Sequence, residues 1–234
     1  MNSIKGTVAF CLIFITAVLL MFYNSKTRMP QLTEDQMRQA GIYILPKPRE
    51  LSDFELQDHT GAPFARDDLK GGWSFLFFGF TSCPDVCPTS MSVLGKVRSA
   101  LETSEYEFDY PFNGLLVTVD PERDDPERLG EYATAFSPDF LGITGSEKQL
   151  EDFARQLNVA FVKVPLDEAG DKDSLGNYTV DHTGNIVIVN PLGHYHGFIK
   201  LPHKADMVQF TYQTHWTRLF SCCAVTVPNE DSSD

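Results

Sequence analysis

Trp73-Ser74-Phe75-Leu76-Phe77-Phe78-Gly79-Phe80, followed at once by Thr81-Ser82-Cys83-Pro84-Asp85-Val86-Cys87-Pro88, decides the fold. The first stretch is short, aromatic and bounded by Gly71-Gly72, as a buried core strand should be. The second reads as a turn carrying two thiols and then a helix start. Pro88 has no N–H to leave unpaired, so it fits the first position of a helix continuing through Met91, Leu94 and Val97. Both sulfurs then lie at the positive end of a helix, where the thiolate is favoured.

The spacing is C-x-x-x-C. Residues four apart on a helical turn share a face, so Cys83 and Cys87 can share one metal ion, or close a disulfide if the turn adjusts. Paired prolines at a strand-to-helix mouth are a poor place for two inert, buried cysteines.

The 234 residues carry a net charge of −13, with no basic stripe, which argues against nucleic acid as a partner. A hydrophobic fraction of 42% is enough to bury a core. Five cysteines are too few and too uneven for a disulfide scaffold. Ile4 to Tyr23 is apolar apart from Lys5, Thr7 and Thr16, and a helix of about 20 such residues can cross a bilayer. The residues before Asn24 lack the small side chains of a cleavage site, which favours an uncleaved anchor over a signal peptide. No Arg-rich transit peptide precedes the span, so a bacterial plasma membrane is expected. The expected organisation is an anchor at 1–26, a proline-containing tether at 27–50, a folded domain at 51–220 and a frayed tail at 221–234.

Within the domain, Phe54 to Phe64 reads as a hairpin around Thr60-Gly61. Gly114 to Asp120 is a second buried strand, and Pro126 to Phe136 a helix with Leu129, Tyr132, Ala133 and Phe136 on one face. Phe140 to Thr144 and Val159 to Val164 are short strands around a helix capped by Ser146. Asp167 to Asn177 reads as a loop. Tyr178 to His182 and Ile186 to Val189 flank Thr183-Gly184-Asn185 as a second hairpin. Gly193 to Phe198 is a strand and Ala205 to Leu219 a closing helix. Strands alternate with helices in the middle and hairpins lie at the edges, which gives an α/β domain with a mixed central sheet.

Cys83-Pro84-Asp85-Val86-Cys87-Pro88, Val119-Asp120-Pro121-Glu122-Arg123-Asp124, Leu141-Gly142-Ile143-Thr144-Gly145 and Val180-Asp181-His182-Thr183 occur in one order. Together they resemble the Sco/SenC family of copper-binding assembly proteins, over roughly Leu51 to Trp216. The resemblance implies a thioredoxin-like (peroxiredoxin-like) domain tethered by an N-terminal transmembrane helix and facing the periplasm or outside. It implies one copper, Cu(I) and also Cu(II), held by Cys83, Cys87 and His182. It also implies delivery to the copper-site subunit of cytochrome c oxidase, with another copper chaperone or a thiol reductase as a further partner. The Cys222-Cys223 pair departs from the family pattern and takes no role from it.

Two thiolates and an imidazole suit Cu(I); zinc usually takes four ligands. The same cysteines would serve a thiol–disulfide reductase that keeps the oxidase thiols reduced, with no need of His182. Asp120 ends a strand and could lie near the metal mouth. Asp181 could orient His182, although neighbours on a strand point to opposite faces. His194 and His196 share a strand face, which is more often a solvated strand end than a second metal site.

Overall fold

The structure is a computed structural model, and it describes residues 2–26, 33–104, 110–165 and 178–222. The chain divides into two compact units, Met1–Glu34 and Asp35–Asp234. Helix α1 (Asn2–Lys26) belongs to the first, and Phe10, Ile13, Phe14, Leu19, Leu20 and Met21 on it are exposed. Among the described residues, no helix is long and apolar enough to cross a membrane.

From α2 (Glu34–Gln39) onward the order is β1 (Ile42–Glu50), β2 (Glu55–Asp58), β3 (Pro63–Ala65), β4 (Trp73–Gly79), α3 (Val86–Glu102) and β5 (Phe112–Thr118). Then come α4 (Pro126–Thr134), β6 (Leu141–Thr144), α5 (Glu147–Gln156), β7 (Phe161–Pro165), β8 (Tyr178–His182), β9 (Ile186–Val189), β10 (His194–Ile199) and α6 (Ala205–Cys222). Eight strands form one mixed sheet in the order β1-β10-β9-β4-β5-β6-β2-β3, and β7 and β8 form a separate ribbon. β4 is buried along its whole length, as its apolar run requires. It runs parallel to β5, from Trp73 opposite Phe112 to Gly79 opposite Thr118. On its other side β9 runs antiparallel, with Ile186 opposite Phe77. α3 turns Met91, Leu94 and Val97 into the core and packs on β4, β5 and α6.

The N-terminal hairpin is present as β2 and β3, and the Ser146 cap is present with Gln149 completing a capping box. Five expectations need correction or fall outside. The tether expected at 27–50 ends much earlier, because Ile42–Glu50 is a strand paired with β10. Pro46 and Pro48 read as breakers, but β1 is an edge strand, and they fall where its register slips between Ile44 and Arg49. The second hairpin is not formed. Ile186–Val189 is buried on both faces and goes between β4 and β10, whereas half-exposed Tyr178–His182 pairs with β7. The last helix extends to Cys222, three residues beyond Leu219, with no Gly or Pro to stop it before Pro228. The expected loop at 167–177 and the tail from 223 lie outside the described residues.

Candidate metal centre

The strand pairing decides where the chemistry collects. Because β5 is parallel to β4, the loops that follow both strands leave the same edge of the sheet. Because β9 is antiparallel to β4, its first residues also lie at that edge, and His182 just precedes them. Gly79 closes β4, and a Cβ there would stand 2.9 Å from Cys87 Sγ, so the bare backbone makes room for the helix mouth.

α3 begins at Val86, two residues before the expected start at Pro88. Pro88 is still tolerated, because the first turn of a helix has no internal partner for its N–H groups. Cys83 therefore lies just ahead of the helix and Cys87 in its first turn. The Cys87 amide donates to Cys83 Sγ at 3.5 Å. Both cysteines are free thiols; Cys83 is partly exposed and Cys87 buried. The hydrogen bond with the Cys87 thiol, helped by His182 and the amides of Asp85 and Cys87 and opposed by burial, brings Cys83 down to about 3. The same bond, together with burial, pushes Cys87 up. The shared bond and the deeper burial of Cys87 thus favour the negative charge on Cys83 and the proton on Cys87.

His182 is the last residue of β8, and its Nε2 lies 3.8 Å from Cys87 Sγ. The ligand atoms of Cys83, Cys87 and His182 all lie within 4.8 Å of one another, and this is the one such group of His, Cys and acidic side chains among the described residues. Phe77 and Phe80 meet the imidazole edge-on at 5.9 and 6.0 Å. The ring's Nδ1 faces the Thr183 carbonyl at 3.3 Å. A carbonyl only accepts, so Nδ1 donates there, and Nε2 is the ring atom turned toward the sulfurs.

A polar frame supports both halves of the site. The buried Asp124 carboxylate accepts from the Thr81 amide at 3.1 Å, from Thr81 Oγ1 at 2.6 Å and from Thr118 Oγ1 at 2.7 Å. Burial pushes Asp124 up, and these hydrogen bonds oppose it. Arg128 donates to Ser82 Oγ at 2.9 Å. The segment after β5 thereby fastens the cysteine loop at two points.

The remaining expected residues separate from the centre. Asp120 is fully buried, paired with Arg123 and bonded to the Tyr178 hydroxyl at 2.8 Å, and it is not a member of the metal-binding group. Asp181 is exposed; the Thr183 carbonyl, not Asp181, orients His182. His194 and His196 form no metal group, and His196 is buried edge-on against Trp73 at 5.0 Å. Asp124, Thr81, Arg123 and Tyr178 were not singled out from sequence. The run Asp120-Pro121-Glu122-Arg123-Asp124-Asp125 right after a buried strand was the available signal.

Residues 45–214 match the family model described as SCO1/SenC. A putative copper-binding protein of Stutzerimonas stutzeri is 36% identical over 184 residues, which make up 77% of this chain and 85% of that protein. Among solved structures, Arabidopsis thaliana ScoI with copper bound is similar at a TM-score of 0.61 and 26% identity, over 73% of this chain and 98% of its own. Yeast Sco1 with copper bound is similar at 0.58 and 27%, over 78% of this chain and 93% of its own. The mixed α/β, thioredoxin-like fold expected from the sequence is the one these structures share.

Iodoacetamide labelling of the metal-free chain should modify Cys83 at a rate nearly constant from about pH 8 down to about pH 5, with Cys87 unmodified. In Cys87→Ala the midpoint should move upward, because the bond that lowers Cys83 most is gone. A wild-type Cys83 rate falling about tenfold per pH unit below about pH 8 would contradict the charge assignment.

Proposed function

We propose, from the premise that this chain belongs to the SCO1/SenC family, that it binds one copper ion through Cys83, Cys87 and His182. It then carries that ion to the dinuclear copper centre of cytochrome c oxidase during assembly. The observation that carries this reading is the convergence of two sulfurs and an imidazole nitrogen within 4.8 Å. That donor set is soft and low in number, which suits Cu(I). With a fourth position filled by solvent it also suits Cu(II). A structural zinc site would want a fourth protein ligand, and none joins the group among the described residues.

The three ligands come from two separate elements, and this supports a carrier rather than a permanent site. The sulfurs belong to the α3 mouth, while the imidazole belongs to the β7–β8 ribbon. An acceptor thiol can take the place of the imidazole first, so that the ion is shared between the two sulfurs of this chain and the acceptor's, ready to pass on. The charge favoured on Cys83 already matches the deprotonated form that binding requires.

A second reading is favoured by the same thiolate–thiol pair. Cys83 as thiolate can attack a disulfide in the oxidase copper site, forming a mixed disulfide and releasing one partner thiol. Cys87, once deprotonated, then displaces the second partner thiol. The partner gains two electrons and the Cys83–Cys87 pair closes to a disulfide that an external thiol reductant must reopen.

The apolar run Ile4 to Tyr23 and the exposed apolar side chains on α1 support attachment to a bacterial plasma membrane, with the domain on the outer side. Protease added to intact spheroplasts should remove the domain; full protection would contradict that orientation.

Titration of the full chain with Cu(I) should saturate at about one equivalent, and His182→Ala should weaken binding by more than the roughly 10–100-fold typical of losing only a ligand's supporting partner. Reduction of a disulfide substrate should survive that substitution. Wild-type affinity in both Cys83→Ala and His182→Ala would show that the ligands are misassigned.

A further inference from the structure

We propose that Arg123 is the positioning residue that holds His182 in place against the two sulfurs; the proposal rests on the copper reading above. Arg123 lies in the segment between β5 and α4, and its guanidinium touches both halves of the site at once. It pairs with the buried Asp120 carboxylate, and its Nη1 donates to the Tyr178 carbonyl at 3.1 Å. Its Cζ lies 4.1 Å from the centre of the Tyr178 ring and 5.7 Å from that of Phe80. Tyr178 opens the strand that His182 ends. Phe80 leads into the cysteine loop and meets the His182 ring edge-on. One side chain therefore joins the element that carries the imidazole to the element that carries the sulfurs.

This joint matters because β7 and β8 pair with each other and not with the eight-stranded sheet. Their placement depends on side-chain ties. Arg123 supplies one at Tyr178. The Tyr178 hydroxyl reaches Asp120 at 2.8 Å and Glu122 at 3.1 Å, and Lys163 on β7 reaches Glu122 at 3.1 Å. These ties end on the segment Asp120–Arg123; one further tie joins Lys163 to Glu147 of α5 at 3.0 Å. From Tyr178 to His182 the strand runs about 13 Å at 3.3 Å per residue, so a shift at the first residue is carried to the last. Lysine cannot replace this group. A point charge can pair with Asp120, but it lacks the planar fork that also donates to a carbonyl and faces two rings.

The bland alternative is that Arg123 only neutralises buried Asp120 and stabilises the fold. Arg123→Lys keeps the charge and so separates the two roles. Competition between the full chain and bathocuproine disulfonate for Cu(I) should show Arg123→Lys binding about 10–100-fold more weakly than wild type, with an unchanged far-UV circular dichroism spectrum. In the His182→Ala background the same substitution should add nothing, since there is no imidazole left to position. Arg123→Lys at wild-type affinity beside a weakened His182→Ala overturns the clamp and leaves the copper reading standing. Equal losses with and without His182 overturn it too. Wild-type affinity in His182→Ala alone would sink the copper reading, and the clamp with it. Should Arg123→Lys fail to fold, hydrogen exchange on the metal-free wild-type chain decides. The amides of β8 should be as protected as those of β10, and exchange of β8 at the rate of an untethered ribbon would refute the proposal.

Discussion

The antiparallel pairing of β9 with β4 is the constraint on which the centre depends. Cys87 and His182 stand 95 positions apart, and no local motif could bring them together. Once Ile186 lies opposite Phe77, the chain entering β9 must leave from the edge where β4 ends, and His182 arrives beside the helix mouth. The apolar composition of β4 and β9 drives that pairing. Both strands are buried along their whole length, so neither can slip register without exposing core side chains. Core formation and ligand convergence are one event.

The polar frame then resolves what the backbone leaves loose. Asp124 fixes Thr81 at the start of the cysteine loop, while the Thr183 carbonyl orients the imidazole. Arg123 and Tyr178 tie the ribbon to the segment after β5. Buried carboxylates are costly unless their lone pairs are satisfied, and both Asp120 and Asp124 have such partners. Stiffness on the sulfur side and side-chain ties on the imidazole side suit a centre proposed to take up an ion and give it away.

Much of this was legible in the sequence. The aromatic run Trp73 to Phe80, the two thiols and the apolar period of α3 each carry a local signature. So do the Ser146 cap and the tight turn of the first hairpin. The pairing of β8 was not legible, because Thr183-Gly184-Asn185 has the look of a hairpin turn; which strand takes the central place depends on burial against β4. The β1 strand was hidden by Pro46 and Pro48, which an edge position tolerates. Asp124 and Arg123 were visible as residues but not as a frame, since their partners Thr81, Thr118 and Tyr178 come from three other segments.

X-ray absorption at the copper edge, on the full chain loaded with one equivalent of Cu(I), tests the central claim most directly. Two sulfur neighbours and one imidazole nitrogen are predicted, with the nitrogen lost in His182→Ala. A shell of sulfur alone in the wild type, or of nitrogen and oxygen without sulfur, would contradict it.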